Sequence, residues 1–181
     1  MAVAPAGIVT FWTEAGPEKW FKKDAAFDQT IAARFGGTVD NALSGDLDHW
    51  SETPSGTLAL ILVLDQFTRN IWRDDSRAFS GDVKALTVAQ RAIEHGRDML
   101  LPPAERKWLY MPFMHSERLD IQEQGLVFFK DRLDDAYTYD YAVLHRDIIE
   151  RFGRFPHRNT LLGRETGAEE QAFLDGGGFS G

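Results

Sequence analysis

The sequence contains no cysteine among its 181 residues. This absence excludes a disulfide framework, thiolate metal ligands and a cysteine nucleophile, and it fits a reducing compartment. Long apolar runs are also missing: the longest extends only from Leu58 to Leu64, whereas a membrane-spanning helix needs about 20 apolar residues. No basic start followed by an apolar segment indicates a signal peptide. We therefore expect a cytoplasmic protein without membrane contacts.

Positive charge is scarce, with 20 Lys and Arg against 28 Asp and Glu, a net charge of −8 and a pI near 5.1. Such a balance disfavours nucleic acid as a partner, because nucleic-acid binding depends on neutralising phosphates. The hydrophobic share of 43% is too high for a disordered chain. We expect one domain over residues 1–175 and a flexible glycine-rich tail at 176–181. The sequence leaves the oligomeric state open.

Motifs for cofactors and metals are missing as well. There is no Gly-x-Gly-x-x-Gly and no Walker loop, so no nucleotide site is predicted. No single helix carries His and Glu at metal-ligand spacing. We therefore expect neither a cofactor nor a metal site.

Almost every segment has the pattern of a helix, and no alternating run of strand length occurs between turn signals. The predicted fold is all-α: a single compact domain of antiparallel helix pairs, similar to tetratricopeptide proteins. Thr53-Pro54 predicts a capped helix start. The apolar run that follows favours a buried central helix continuing to Ile71, with a buried strand as the alternative. The other predicted helices are 5–14, one through Phe27, Ile31 and Phe35 that stops at Gly36-Gly37, 39–43, 78–95, 103–115 with a kink or break at Pro112, 120–133, 139–152 and 168–174.

Five arginines between His145 and Arg164 form a basic stretch in this acidic chain. Gly153 ends a helix, so the segment from Arg154 to Asn159 is expected to be a loop. Its side chains could clamp a carboxylate or phosphate. Alternatively, they could cap the carbonyl ends of neighbouring helices. The candidate ligand-binding residues here are Arg154, His157, Arg158, Asn159 and Arg164.

A second polar corner follows the apolar run, at Asp65, Gln66, Arg69 and Asn70. Asp65 and Arg69 are four residues apart and share a helix face. Two interpretations are equally supported: a structural ion pair, or an aspartate that orients Arg69 toward a bound anion.

Two histidines are further candidates for ligand binding or general acid/base chemistry. His145 lies on or beside the apolar stripe formed by Tyr141, Leu144, Ile148 and Phe152, and a satisfied core histidine is the alternative. His115 follows Pro112 and precedes Glu117, which is a third catalytic candidate. Ser116 could cap a helix that restarts after the proline.

A further set of motifs is spread over nearly the whole chain: Phe11-Trp12, Trp20 to Asp24 with Phe27-Asp28, Leu47 to Gly56, Leu64 to Ile71, Arg77 to Phe79, Glu105-Arg106, Tyr110 to Glu117, Arg151 to Asn159 and Leu162 to Arg164. Together these segments resemble the bacterial domain-of-unknown-function family 924. The resemblance implies an all-helical, tetratricopeptide-like fold in soluble, cytoplasmic proteins, and it implies no established activity. Thr68 stands where the family usually has proline.

Three functions remain open at this point. The first is a binding module whose Arg- and His-lined pocket takes an anionic small molecule or an acidic peptide. The second is a hydrolase or lyase that uses His115 or His145 as general acid/base. The third is a purely structural polar network inside a protein-interaction scaffold.

Overall fold

The structure is a computed structural model, and it describes residues 3–179. Within these residues all regular secondary structure is helical and no residue lies in a β-strand, so the expected all-α class is confirmed. No helix in this part of the chain is long and apolar enough to cross a membrane. Tetratricopeptide-like stacking and a single domain stay predictions.

The chain groups into two compact units. The first unit comprises residues 1–73 and 77–112, and the second comprises residues 74–76 and 113–181. The helices that build the first unit are α1 (Pro5–Ala15), α2 (Pro17–Trp20), α3 (Ala25–Ser44), α4 (Pro54–Ile61), α5 (Thr68–Ile71), α6 (Asp82–Glu94) and most of α7 (Pro103–Met114). The helices of the second unit that follow α7 are α8 (Leu119–Arg132), α9 (Ala136–Phe152) and α10 (Ala168–Asp175).

The buried centre of the first unit is the helical segment from Pro54 to Ile71. As predicted, Thr53 caps its start, where the hydroxyl oxygen accepts a hydrogen bond from the Gly56 amide at 3.1 Å. The apolar run that follows is at most 1% exposed. The segment is therefore the predicted buried helix and not a strand. One feature was not predicted: between α4 and α5 the chain forms a π-helical turn at Leu62–Phe67.

Helix α3 continues through Gly36 and Gly37, so the predicted stop at this pair is wrong. Neither glycine has a positive φ, and the helix ends only at Gly45, whose φ is +101°. Each glycine weakens a helix by about 1 kcal/mol. The burial of Phe35 and Val39 on either side of the pair outweighs that cost.

The predicted helix over 78–95 is shorter in the structure. A 3₁₀ turn covers Ser76–Phe79, and α6 begins at Asp82. Between them, the Gly81 backbone lies against the Leu64 carbonyl of the π-helical turn, and a Cβ at this position would be 2.1 Å from that oxygen. This close approach explains the glycine. Pro112 does not split α7, which ends two residues later.

Aromatic side chains from several helices fill the rest of the first unit. The rings of Trp12 and Trp108 meet edge to face at 5.2 Å, and the Phe35 and Phe67 rings lie 5.1 Å apart. Trp12 also lies 5.8 Å from Phe67, which links the two pairs into one core. Such contacts contribute beyond the area that they bury.

In the second unit α8 and α9 pack side by side. Gly125 of α8 allows this part of the chain to approach Phe113 closely, because a Cβ there would be 2.8 Å from the Phe113 Cβ. The buried face of α9 differs from the predicted stripe. Tyr141 and Leu144 are exposed, and Ala142 and Ile149 are buried in their place.

The described part of the predicted tail, residues 176–179, is hydrogen-bonded to α10. The Gly176 amide donates to Ala172 O and the Gly178 amide to Phe173 O. Phe179 packs against a small core that includes Ile149 and Phe155. Residues 180 and 181 lie outside the described residues.

Candidate functional site

Arg69 of the first unit is held by two carboxylates. Its guanidinium donates to Asp65 Oδ1 at 3.2 Å and to Asp82 Oδ2 at 3.0 Å. Asp65 is completely buried. Burial alone would lower the pKa of Arg69, but Asp65 and Asp82 outweigh it and raise that pKa. The arrangement matches the structural ion pair that the sequence left open.

Gln66 and Asn70 also bond within the first unit. Gln66 Nε2 donates to Asp65 Oδ2 at 2.6 Å. Asn70 Nδ2 donates to Asp28 of α3 at 2.7 Å, and Arg73 reaches the same carboxylate at 2.8 and 2.9 Å. These contacts tie the end of α5 to α3.

In the second unit Arg154 forms a two-pronged ion pair with Glu170 of α10, at 2.6 and 2.7 Å. The bond from Arg154 is the main reason that the pKa of Glu170 falls to about 2. Glu170 also accepts the Gly167 amide at 2.7 Å and so caps α10. Asn159, which is fully buried, bonds Glu170 and lies 3.4 Å from the Thr166 hydroxyl.

Arg164 and Glu117 form a second bidentate pair, at 2.9 and 2.8 Å. Glu117 also accepts the Phe155 amide at 3.0 Å. Burial raises the pKa of Glu117, but the bonds from Arg164 and Phe155 lower it further than burial raises it. Glu117 therefore carries a structural charge. Ser116 does not cap α8, whose first turn follows Arg118.

Three of the five histidines of the chain lie together in the second unit, two of them against Phe155 and the third beside His145. The His145 and His157 rings are 5.5 and 5.6 Å from the Phe155 ring, and His115 is 6.5 Å from His145. The guanidinium of Arg158 stacks on the Phe155 ring at 4.5 Å. We call His115, His145, His157 and Arg158 the histidine cluster.

His145 is neutral at ordinary pH. It is 6% exposed, and its pKa is lowered to about 3, mainly because of burial. A bond to the Tyr141 carbonyl opposes this shift, and the nearby His115, Arg158 and His157 contribute to it. That bond is 2.7 Å long and starts at Nδ1. Because a carbonyl only accepts, Nδ1 carries the proton and Nε2 is left as an acceptor.

His115 and His157 are half-buried, whereas Arg158 is buried. The positive charge of Arg158 contributes to the lowered pKa of Glu117. Within residues 3–179 no group of three or more His, Asp or Glu side chains is placed to hold a metal ion. The histidine cluster can offer imidazole N–H donors and the positive charge of Arg158, and the aromatic ring of Phe155 lies beside them.

The comparisons with known proteins agree with the motifs. A family described as "Bacterial protein of unknown function (DUF924)" matches residues 8–178. The chain belongs to this family. It is also similar to a solved protein of unknown function from Agrobacterium tumefaciens, with 42% identity and a TM-score of 0.90, over 95% of this chain and 97% of the other. No curated protein matches it.

For this DUF924 protein the predicted site residues separate into groups. Asp65, Gln66, Arg69 and Asn70 belong to the first unit, and all the others belong to the second. Sequence reasoning did not identify Asp82 and Glu170 as ion-pair partners, because both are far from their arginines along the chain. Arg151 lines an open groove of about 500 Å³ with Phe152, Arg154 and residues 167–170.

Proposed function

We propose that this protein is a binding module for an anionic small molecule, which it holds at the histidine cluster. The observation that carries the proposal is the gathering of His145, His157 and Arg158 around Phe155, with His115 beside His145, in an otherwise acidic chain. Arg158 supplies a positive charge beside the imidazoles, and this charge would attract a bound anion.

The arginines that the sequence suggested as clamps do not form this site. Arg69, Arg154 and Arg164 each bond to carboxylates of their own unit. An anion would have to compete with an aspartate or glutamate side chain of the same protein that is already bonded to the arginine. For these three arginines the contacts favour the structural alternative.

The chemistry of the cluster suits an anion of modest size. Imidazolium and guanidinium groups form charge-assisted hydrogen bonds to carboxylate and phosphate oxygens. Arg158 is positive at any ordinary pH, and protonation of His115 and His157 would add to it. Neutral His145 contributes an acceptor at Nε2, which can bond a hydroxyl or a protonated oxygen of the ligand.

The enzyme alternative has less support. A general acid or base works best when its pKa lies near the working pH. With a pKa of about 3, His145 has no proton at Nε2 to donate near neutrality. Glu117 is bonded to Arg164 and to the Phe155 amide, so His115 remains the catalytic candidate of that alternative.

The test is a titration with inorganic phosphate, followed by imidazole NMR signals and by calorimetry. We expect the signals of His115 and His157 to shift together as phosphate binds. The double variant His115→Gln, His157→Gln should weaken binding about tenfold or more, which is about 1.4 kcal/mol. His95→Gln, at an exposed residue of the first unit, is the matched control. Binding that is equal in all three proteins would contradict the proposal.

A further inference from the structure

The ring of Phe179 packs against two members of the histidine cluster, His145 and His157. Its centroid lies 4.5 Å from that of His145 and 5.3 Å from that of His157. Both contacts are edge to face, with interplanar angles of 62° and 78°. The space between these two imidazoles therefore holds one six-membered aromatic ring in a favourable geometry.

The three residues before Phe179, Gly176 to Gly178, are all glycine. Gly177 has a φ of +78°, which glycine adopts readily. At Gly178 a Cβ would lie 2.6 Å from ring atoms of Phe173, so the backbone wraps closely around that ring. This turn directs Phe179 back onto the cluster. The amides of its three glycines donate to carbonyls of α10, and the last of these bonds joins the Gly178 amide to Phe173 O at 2.9 Å.

Positive charge lies next to the ring position. Phe155 contacts both His145 and His157, and its ring carries the Arg158 guanidinium at 4.5 Å. A ligand with an aromatic ring in the place of Phe179 would bring an attached anionic group close to Arg158 and the half-buried histidines. Phe179 itself supplies the ring without the charge.

We infer that the ligand of the histidine cluster is an aromatic anion, such as an aryl phosphate or aryl carboxylate, and that Phe179 occupies its ring position when the site is empty. The inference rests on the proposed function. The apparent affinity equals the intrinsic affinity multiplied by the fraction of molecules whose site is open. Phe179 therefore weakens the binding of any ligand that needs the ring position. A small anion that binds only the charged groups is affected less.

The experiment compares phenyl phosphate with inorganic phosphate on the full chain. Calorimetry should show that Phe179→Ala binds phenyl phosphate about fivefold to tenfold more tightly than wild type, with a much smaller change for phosphate. Phe21→Ala, at an exposed residue of the first unit, is the matched control and should change neither affinity. Thermal unfolding of each variant checks that it is folded.

A measurement on the unaltered protein covers the case in which Phe179→Ala does not fold. Phenyl phosphate should speed hydrogen exchange of the Gly178 amide, because displacing Phe179 breaks the hydrogen bond from this amide to Phe173 O. Inorganic phosphate should leave the exchange rate unchanged. If phosphate binds but Phe179→Ala and Gly178 exchange show no preference for the aryl ligand, the inference is wrong and the proposed function stands. If neither probe binds to any variant, both are wrong.

Discussion

Glu117 and Arg164, which are 47 residues apart in the sequence, face each other through two parallel hydrogen bonds of 2.9 and 2.8 Å. The same carboxylate accepts the Phe155 amide. It therefore fixes the residue whose ring lies at the centre of the histidine cluster. The pair thus positions Phe155 within the histidine cluster.

Glu117→Gln should destabilise the protein by about 2 kcal/mol, because it replaces a bidentate charged acceptor with an amide. The replacement also leaves Arg164 without its carboxylate. Chemical denaturation of the variant and of wild type measures the difference. Glu123→Gln provides a control in α8, at an exposed residue. Equal stability of Glu117→Gln and wild type would show that the pair contributes nothing.

Arg69→Met should be more damaging, with a loss of about 3–5 kcal/mol, because it leaves the fully buried Asp65 without its cation. Lys22→Met breaks an ion pair to Glu18 whose side chains are 67% and 83% exposed, and it should cause no measurable change. Urea unfolding of the two variants gives the comparison. Similar losses in both would mean that burial of the Asp65 pair does not matter.

Two glycines should respond in opposite ways to the same substitution. Gly81→Ala places a methyl group 2.1 Å from the Leu64 carbonyl oxygen and should cost about 2 kcal/mol or more. Gly37→Ala meets no atom within 4 Å inside α3 and should stabilise by roughly 0.5–1 kcal/mol. Melting temperatures report both signs. A stable Gly81→Ala protein would contradict the close approach of α6 to the π-helical turn.

His145 makes stability depend on pH below neutrality. Its pKa is about 3 in the folded protein and near 6.5 when it is free. Between these values the unfolded chain binds more protons, so unfolding free energy is lost as the pH falls from about 6.5 toward 3, by at most about 1.4 kcal/mol per pH unit. The loss is complete only near pH 3.

The variant His145→Asn isolates this effect, because it keeps a side-chain donor for the Tyr141 carbonyl and removes the titration. Its stability should fall less steeply than that of wild type when urea unfolding is repeated from pH 7 to pH 4. His95→Asn changes an exposed histidine and should follow the wild-type slope. Parallel curves for wild type and His145→Asn would show that burial does not lower this pKa.

Local signals predicted most of the helices. The Thr53 cap, the apolar run after it and the stop at Gly153 depend on neighbouring residues, and each is found as expected. The errors came from tertiary contacts. Burial on both sides of Gly36-Gly37 carries α3 through the pair, and the Leu64 carbonyl against Gly81 delays the start of α6.

The candidate site was predicted as a set of residue types and not as an arrangement. Sequence reasoning named His115, His145 and His157, but could not show that two of them lie against Phe155 and the third beside His145. Nor could it identify Phe179, because this residue was assigned to the glycine-rich tail, which has no periodic pattern from which a contact could be inferred. The arginines were named as candidates, yet their carboxylate partners depend on contacts between segments that are distant in the sequence.

The π-helical turn at Leu62–Phe67 also constrains how the length of this segment can change. A π turn contains one residue more than the α-helical turn that would replace it. Deleting one residue there would restore a regular helix with nearly the same rotational phase, because the wide turn absorbs the extra residue within one turn. Arg69 would keep its direction toward Asp82. A deletion inside α4 would instead rotate α5 by about 100°, so the π-helical turn is the place where this segment can lose a residue with the least change.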